Sequence, residues 1–229
     1  MVHRCPFCKN SFPYFYPIVS GDHISFHVQC PYCKSYERHR MQWLYYNQET
    51  DLFCSKSPIS VLHCAPEEIF FLPFSHNKQI DYYPVDKWEG YTVCGQKMRD
   101  YVDLTSLPYE DHKFDYILCN HVLEHIPQEQ LALSELKRVL KKNGIAFINV
   151  PIDNSLEETL EDPAINTDIL RLKYYGQCDH VRKYGRDYQK HLEAAGFSVK
   201  CVTAQELFSY EDIYTYGLLP DDQIYCARA

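Results

Sequence analysis

The sequence predicts an α/β protein in which a mixed β-sheet is flanked by helices and preceded by a small cysteine-rich module. Three observations carry this prediction. From residue 58 onward, short β-rich runs alternate with helical patterns, as layered α/β domains require. Two Cys-x2-Cys pairs stand near the N-terminus. A length of 229 residues suits a medium α/β domain with a small appendage.

Composition and charge narrow the class of protein. With 45% hydrophobic and 15% aromatic residues, the chain is typical of a globular protein. No apolar run approaches the roughly 18–20 residues that cross a bilayer, and the first residues lack a signal peptide, so we expect a cytoplasmic protein without a membrane partner. The net charge of −8 disfavours nucleic acid as the main partner. The first fifty residues carry +2, however, which leaves an anionic partner open for that part.

The N-terminal residues 1–35 are predicted to form a zinc ribbon. Two residues separate the cysteines of each pair, and 21 residues separate the pairs, which is close to the spacing of four thiolates around tetrahedral zinc. Four thiolates close the coordination shell, so we expect a structural ion. Two unrelated cysteine pairs or a redox dithiol are the alternatives. The predicted ligands are Cys5, Cys8, Cys30 and Cys33, and the other seven cysteines are interpreted as small buried hydrophobes.

The ribbon hairpin and a linking helix complete this part of the chain. Phe12–Tyr16 and His23–Val28 are predicted strands on either side of Gly21-Asp22. Residues 36–57 are predicted to contain a helix that joins the ribbon to the main domain. Within it, Arg38 and Arg40 either reach a cofactor or substrate carboxylate or form a solvated basic face.

Residues 58–229 are predicted to form the main domain. A helix is predicted over Gln128–Lys142 with Asn143-Gly144 as its stop, and another over Arg186–Ala195, closed by Gly196. Ala204–Asp222 is predicted to be a long loop before an antiparallel last strand. The predicted strands are Ile59–His63, Ile80–Val85, Phe114–Asn120, Gly144–Val150, Phe197–Thr203 and Gln223–Arg228.

The most informative stretch is 113–151. It contains Phe114-Asp115, then Val122-Leu123-Glu124-His125, then a helical pattern that ends near Gly144. This order resembles the class I S-adenosylmethionine-dependent methyltransferases, and the similarity extends over about residues 58–228. The resemblance implies a Rossmann-like, seven-stranded mixed sheet with helices on both faces, and S-adenosylmethionine bound at the carboxyl ends of the first strands.

The resemblance also implies cofactor contacts. Asp86 corresponds to the acid that binds the ribose hydroxyls, and Asp103 to the aspartate that receives the adenine amino group. The segment after the first strand takes the place of the glycine-rich motif but contains no glycine, so its small residues must allow the close approach. Each acid is otherwise a loop or cap residue. The predicted cofactor-binding residues are His63, Cys64, Ala65, Glu67, Asp86, Asp103 and Asn120.

Methyl transfer to a hydroxyl or protonated amine requires a group that takes up a proton. The predicted catalytic residues are His121, His125 and His180. His121, Glu124 and His125 resemble the Glu-x-x-Glu-His metal motif of ubiquinone-biosynthesis and small-RNA methyltransferases, except that His121 stands where those proteins have Glu. The RNA-acting members add a downstream His, to which His180 would correspond. The resemblance implies a possible second divalent metal at His121, Glu124, His125 and His180. Metal-independent relatives with Val-Leu-Glu-His are the alternative.

The segment after the fifth strand is predicted to complete the acceptor site. Arg182 and Tyr184 line the acceptor pocket or, alternatively, belong to an ordinary hydrogen-bonded loop. The insertion 151–177, with its acidic stretch Leu156–Asp162, is either a lid or solvated surface.

Three functions follow from these expectations. The first is O- or N-methylation of a small molecule or saccharide precursor, which the acidic main domain favours. The second is methylation of RNA or protein, with the zinc ribbon docking the macromolecule. The third is a non-catalytic interaction protein whose main domain has lost cofactor affinity.

Overall fold

A computed structural model describes residues 2–20 and 23–229 of the protein. The predicted hairpin turn Gly21-Asp22 lies outside the described residues. The strands are β1 (His3–Arg4), β2 (Ser11–Phe12), β3 (Tyr16–Ser20), β4 (His23–Gln29), β5 (Ile59–Cys64), β6 (Ile80–Asp86), β7 (Thr92–Val93), β8 (Gln96–Lys97), β9 (Asp100–Tyr101), β10 (Phe114–Asn120), β11 (Leu140–Asn149), β12 (Ser198–Thr203) and β13 (Gln223–Arg228). The helices are α1 (Glu37–Glu49), α2 (Glu68–Ser75), α3 (Glu129–Val139), α4 (Asp168–Tyr175), α5 (Tyr188–Ala194), α6 (Ala204–Leu207) and α7 (Tyr210–Tyr216). None of the helices in the described ranges has the length and apolarity needed to cross a bilayer.

Seven strands form one mixed sheet, which confirms the predicted fold class. Their order is β12-β13-β11-β10-β5-β6-β9. The five strands from β11 to β9 run parallel to one another, and β13 is antiparallel to β11. Parallel strands end at the same edge of a sheet, so the residues that follow β5, β6, β9 and β10 lie along one edge.

The sheet is held by an apolar core that the strand and helix patterns predict. The central strands β5 and β10 are almost continuously buried, as expected for parallel strands covered on both faces. Helix α3 buries Ala132, Leu133 and Leu136 at the i, i+1 and i+4 spacing of one helix face. Leu192 of α5 belongs to the same core. These contacts position the carboxyl edge of the sheet.

The predicted end of the helix over Gln128–Lys142 was wrong. Helix α3 ends at Val139, because Leu140 already pairs with Phe114 in the sheet. Gly144 is therefore not a helix stop. It lies within β11, where a Cβ atom would come within 2.9 Å of the carbonyl oxygen of Asp115.

The predicted loop Ala204–Asp222 contains two short helices, α6 and α7. Thr203 and Glu206 form a reciprocal capping box at the start of α6. The Ser209 side chain accepts a hydrogen bond from the backbone of Asp212 at the start of α7, and Gly217 ends that helix with φ of +59°. The capping residues are visible in the sequence and indicate the two helices, although the segment lacks the apolar periodicity of a helix.

The chain folds into two compact units. The first comprises the described residues of Met1–Ser57 with Glu68–Gln79 and Val202–Ile224, and the second comprises Pro58–Glu67, Ile80–Cys201 and Tyr225–Ala229. The N-terminal hairpin of the first unit pairs Tyr16–Ser20 with His23–Gln29, so the predicted strand Phe12–Tyr16 was misplaced. Phe12 is instead the last residue of β2, which pairs with β1. Pro13 follows it and has no N–H group to donate to the pairing.

Arg40 has a structural position within the first unit. Its side chain is completely buried and donates hydrogen bonds to the backbone carbonyls of Val28, Ser35, Tyr216 and Gly217 at 2.7–2.9 Å. Neither expectation for Arg40, a contact to a cofactor or a solvated basic face, agrees with this burial. The guanidinium joins α1 to the end of α7.

Candidate active site

A cavity of about 390 Å³ lies in the second unit, at the carboxyl ends of β5, β6, β9 and β10. We call it the carboxyl-edge cavity. It brings together residues that are up to 115 positions apart in the chain, from Cys64 to Asp179, and most of them follow parallel strands that end on the same side. Of the predicted cofactor and catalytic residues, those that line it are Cys64, Ala65, Asp86, Asp103, His121 and His125.

Two carboxylates of this cavity are held by short backbone turns. Asp86 ends β6, and its Oδ1 accepts a hydrogen bond from the backbone N–H of Trp88 at 2.9 Å. Asp103 Oδ1 accepts from the backbone N–H and the hydroxyl of Thr105 at 2.9 and 2.7 Å. The backbone hydrogen bond from Thr105 lowers the pKa of Asp103 below its usual range. Asp103 is thus a charged acceptor at the cavity wall.

The loop after β5 adopts a glycine-like conformation without a glycine. Ala65 has φ of +45°, in the left-handed region that non-glycine residues rarely adopt. Its N–H donates to the carbonyl oxygen of Val85 at 2.8 Å, which holds the turn against the end of β6. Cys64 and Ala65 are small, so the backbone is open to the cavity.

Three other predicted cofactor residues are not among those that line the cavity. His63 is buried within the sheet, with Nδ1 2.8 Å from the hydroxyl of Tyr82, and burial lowers its pKa to about 4. Asn120 is buried and accepts a hydrogen bond from the side chain of Asn149 at 2.8 Å. Glu67 is half-buried beyond the end of the loop. Because neighbouring strand residues point to opposite faces, His63 and Asn120 face away while Cys64 and His121 face the cavity.

A tight turn after β10 presents the histidines. His121 has φ of +55°, and its N–H donates to the carbonyl oxygen of Asn149 at 2.8 Å. A single 3-10 turn, Leu123–His125, follows, and the completely buried Leu123 anchors it in the core. This geometry brings Nδ1 of His121 within 3.5 Å of Oε1 of Glu124.

Glu124, His125 and His180 converge at one point beside the cavity. One ligand atom from each lies within 4.8 Å of the others. The rings of His125 and His180 meet edge to face, with centroids 4.7 Å apart, and Nδ1 of His125 lies 3.2 Å from Asp179 Oδ2. Burial lowers the pKa of His180, although the charge of Glu124 acts in the opposite direction. This set of three does not include the predicted fourth member, His121, although Nδ1 of His121 lies 3.5 Å from Oε1 of Glu124.

Glu124 itself is almost fully buried, at 1% exposure. Its Oε2 has no hydrogen-bond partner among the described residues. A buried carboxylate oxygen is costly without a partner, so this atom is a natural position for a cation or a proton donor.

Two residues predicted at the acceptor pocket are interior. Arg182 is 1% exposed and Tyr184 is completely buried, with its hydroxyl donating to Glu129 at 2.5 Å. The alternative of a loop held by hydrogen bonds describes both residues. Their polar groups are used inside the protein, so neither faces an acceptor.

Sequence reasoning missed several residues of the cavity wall. Trp88 is 71% exposed and lies two residues after Asp86, and Lys87 Nζ lies 3.6 Å from Asp103 Oδ2. Gln128 and Asp179 complete the side near His125. The position directly after a predicted cofactor acid was a usable signal for Lys87 and Trp88.

The four predicted zinc ligands come together in the first unit. Sγ of Cys5 lies 3.5 Å from that of Cys33, and Sγ of Cys8 lies 3.8 Å from that of Cys30. Tetrahedral zinc with Zn–S bonds of about 2.3 Å separates its sulfurs by about 3.8 Å, so this donor set fits zinc. The two knuckles are duplicates, because Lys9 and Lys34, each one residue past its pair, share φ of +63°.

The class of the domain is supported by a family match. The family model described as a methyltransferase domain matches residues 80–148, which contain β6, Asp86, Asp103 and the His121 turn. Residues 80–148 therefore match a methyltransferase domain, and the strand order and the edge-located cavity agree with the class I S-adenosylmethionine-dependent methyltransferase fold.

Curated proteins share parts of this sequence. A ubiquinone biosynthesis O-methyltransferase from Pasteurella multocida is 31% identical over 96 residues, which is 42% of this chain and 36% of that protein. An arsenite methyltransferase from Aquipseudomonas alcaligenes is 28% identical over 126 residues, which is 55% of this chain and 34% of that protein. The matches span between 18% and 36% of the curated relatives' lengths.

Solved structures share the fold. The YcgJ protein of Bacillus subtilis has a TM-score of 0.51 at 16% identity, with 82% of this chain and 96% of that chain covered. A SAM-dependent methyltransferase from Archaeoglobus fulgidus has a TM-score of 0.50 at 20% identity, with 84% and 96% covered. At these identities the likeness concerns the fold.

Proposed function

We propose that the protein is an S-adenosylmethionine-dependent methyltransferase that uses the carboxyl-edge cavity for both cofactor and acceptor. The observation that carries this proposal is the presence of Asp86, Asp103 and His121 on the wall of one cavity at the ends of three parallel strands. Its volume of about 390 Å³ lies within the range of small-molecule sites.

The cavity residues fit the cofactor by their chemistry. Asp86 would accept hydrogen bonds from the ribose hydroxyls, and Asp103 would accept one from the adenine amino group. The open backbone at Cys64 and Ala65 would approach the methionine part, where a larger side chain would obstruct it. His63, Glu67 and Asn120 do not line the cavity and would act indirectly, by supporting the strand ends that carry the lining residues.

The acceptor is proposed to be a small molecule or saccharide precursor that is methylated on oxygen or nitrogen. The net charge of −8 and the acidic cavity wall with Asp86, Asp103 and Asp179 disfavour a polyanion. Two curated relatives are named as methyltransferases of ubiquinone biosynthesis and of arsenite, both of which concern small acceptors.

The proposed chemistry is an in-line displacement. The acceptor atom forms a bond to the methyl carbon while the carbon–sulfur bond breaks and its electron pair stays on sulfur. The acceptor's proton needs a base at the cavity wall, and His121 or His125, which both line the cavity, would take this role. Asp179, whose Oδ2 lies 3.2 Å from Nδ1 of His125, would orient that ring.

A divalent metal at Glu124, His125 and His180 is the second part of this proposal. It is favoured by the buried, unpartnered Oε2 of Glu124 and by the convergence of the three side chains. Two imidazoles and a carboxylate favour zinc, iron or manganese. Such an ion, when bound, would lower the pKa of an acceptor hydroxyl. His121, which lies outside the set of three, would then be the base.

Isothermal calorimetry of the zinc-loaded protein with S-adenosylmethionine and S-adenosylhomocysteine tests the function. We expect one site per chain for both ligands. If the folded, zinc-loaded protein binds neither, the methyltransferase proposal fails and the non-catalytic interaction protein is favoured. Metal analysis before and after chelation tests the second part, because a removable ion is expected beyond the one held by the cysteines.

A further inference from the structure

The side chain of Arg182 satisfies all of its donors inside the second unit. A guanidinium has five N–H groups, and this one makes five hydrogen bonds. Three go to the backbone carbonyls of Leu123 at 2.7 Å, Ile126 at 2.7 Å and Pro127 at 3.1 Å. The other two run side by side to the carboxylate of Glu161 at 2.8 and 3.1 Å. At 1% exposure, this charge is sealed from water.

The three carbonyls belong to the turn that presents the active-site side chains. The turn carries Glu124 and His125 between its first and second accepting carbonyls, and Ile126 and Pro127 line the cavity. Next to Arg182, the N–H of Val181 donates to the carbonyl oxygen of Glu124 at 2.8 Å. Val181 and Arg182 are therefore hydrogen-bonded along the whole turn, and the neighbouring His180 lies beside His125.

Glu161 binds the guanidinium of Arg182 through both carboxylate oxygens. It belongs to the acidic insertion, and its neighbour Leu160 exchanges two backbone hydrogen bonds of 2.9 Å with Lys183. Burial alone would lower the pKa of Arg182, but the hydrogen bonds and charge of Glu161 outweigh it and raise the pKa. The pair is bidentate, a geometry that a lysine cannot reproduce.

We propose that Arg182 is a positioning residue of the active site, whose guanidinium holds the turn 123–127 so that Glu124, His125 and His180 converge beside the cavity. The proposal rests on the proposed function for its catalytic meaning, but its geometry can be tested without an acceptor. It also gives the insertion 151–177 a definite task, because Glu161 locks the guanidinium in its plane.

The test compares histidine side-chain signals in ¹⁵N–¹H NMR spectra of the full chain. The ring signals of His125 and His180, assigned with His125→Gln and His180→Gln, report the geometry and hydrogen bonding of the two imidazoles. In Arg182→Lys we expect the ring signals of His125 and His180 to move to new chemical shifts. In Glu161→Gln, which leaves the three carbonyl bonds possible, we expect smaller displacements of the same two signals.

Arg186→Gln is the matched control. Arg186 also pairs with an acid of the insertion, Glu157 at 3.3 Å, but both side chains are exposed, at 55% and 87%. Its removal should leave the signals of His125 and His180 in place. The proposal is overturned if folded Arg182→Lys keeps both signals at their wild-type positions. If Arg182→Lys does not fold, Glu161→Gln decides, and unchanged signals there overturn the proposal.

Binding of S-adenosylhomocysteine to the same variants separates this inference from the proposed function. We expect Arg182→Lys to keep a measurable cofactor site, because Asp86, Asp103 and Ala65 lie on other loops. If the wild-type protein does not bind S-adenosylhomocysteine, the proposed function is contradicted, but the result on the histidine signals remains valid.

Discussion

Replacing Asp86 with asparagine is expected to weaken binding of S-adenosylhomocysteine by about 10- to 30-fold. Asp86 Oδ1 already accepts the Trp88 N–H at 2.9 Å, so the carboxylate offers its remaining capacity to the ribose hydroxyls. A hydrogen bond to a charged group contributes about 1.5–3 kcal/mol. Because Asp86 is only half-buried, we take about 1.5–2 kcal/mol, and each 1.4 kcal/mol is about tenfold in affinity.

Isothermal calorimetry at constant ionic strength measures this change, and Asp81→Asn is the control. Asp81 lies on the same strand β6, but it pairs with Arg99 at 2.6 Å and does not line the cavity. The control should bind S-adenosylhomocysteine as the wild-type protein does. Equal affinities for Asp86→Asn and the wild-type protein would refute the assignment of Asp86 to the ribose.

Three further predictions concern stability. Ala65→Gly should relieve the left-handed backbone at φ of +45° and stabilise the protein by about 0.5–1 kcal/mol, or a rise of about 2 °C in Tm by circular dichroism. Cys30→Ser should reduce the zinc content from about one ion per chain and lower the unfolding temperature, since zinc binding is coupled to folding. The hydrogen bond of 2.8 Å to Glu129 raises the pKa of His191, so this histidine stabilises the fold most below pH about 6.5 and loses that effect as pH rises through its folded pKa. Burial alone would raise the pKa of Glu129, but hydrogen bonds from His191 and Tyr184 outweigh burial and lower it. Glu129 therefore stabilises the fold above its ordinary pKa near 4.5, and this stabilisation is lost as the pH falls through its folded pKa. We measure the free energy of unfolding in urea as a function of pH. In Glu129→Gln, its fall at low pH and its fall above the ordinary pKa of histidine should both become smaller. An unchanged pH dependence would contradict a stabilising role for the pair of Glu129 and His191.

The parts of the fold that the sequence predicted best are those with continuous apolar runs. β10 and β13 begin and end at the predicted residues, because buried parallel or central strands are bounded sharply by polar positions. The cysteine cluster was also predictable, since its spacing alone demands convergence. Helices α6 and α7 were missed because their signals are caps rather than apolar periodicity.

The candidate site was predictable by position but not by side-chain direction. Strand ends identified Asp86 and His121, because parallel strands share one edge. Which member of a neighbouring pair faces the cavity depends on the pleat of the strand. Asn120, a predicted cofactor contact, is therefore not among the lining residues, and its side-chain oxygen accepts a hydrogen bond from Asn149 instead. For Arg182 the sequence left open an acceptor pocket or a hydrogen-bonded loop, because sequence alone does not reveal the acceptors that a buried arginine requires. The five acceptors that make its burial possible come from segments 21 to 59 residues away.

We expect S-adenosylmethionine to occupy the carboxyl-edge cavity. A crystal structure of the zinc-loaded protein with S-adenosylhomocysteine tests it most directly. We expect the ribose beside Asp86, the adenine beside Asp103 and the sulfur facing His121. A cofactor found at any other place, or an empty cavity at saturating S-adenosylhomocysteine, would show that this cavity is not the cofactor site.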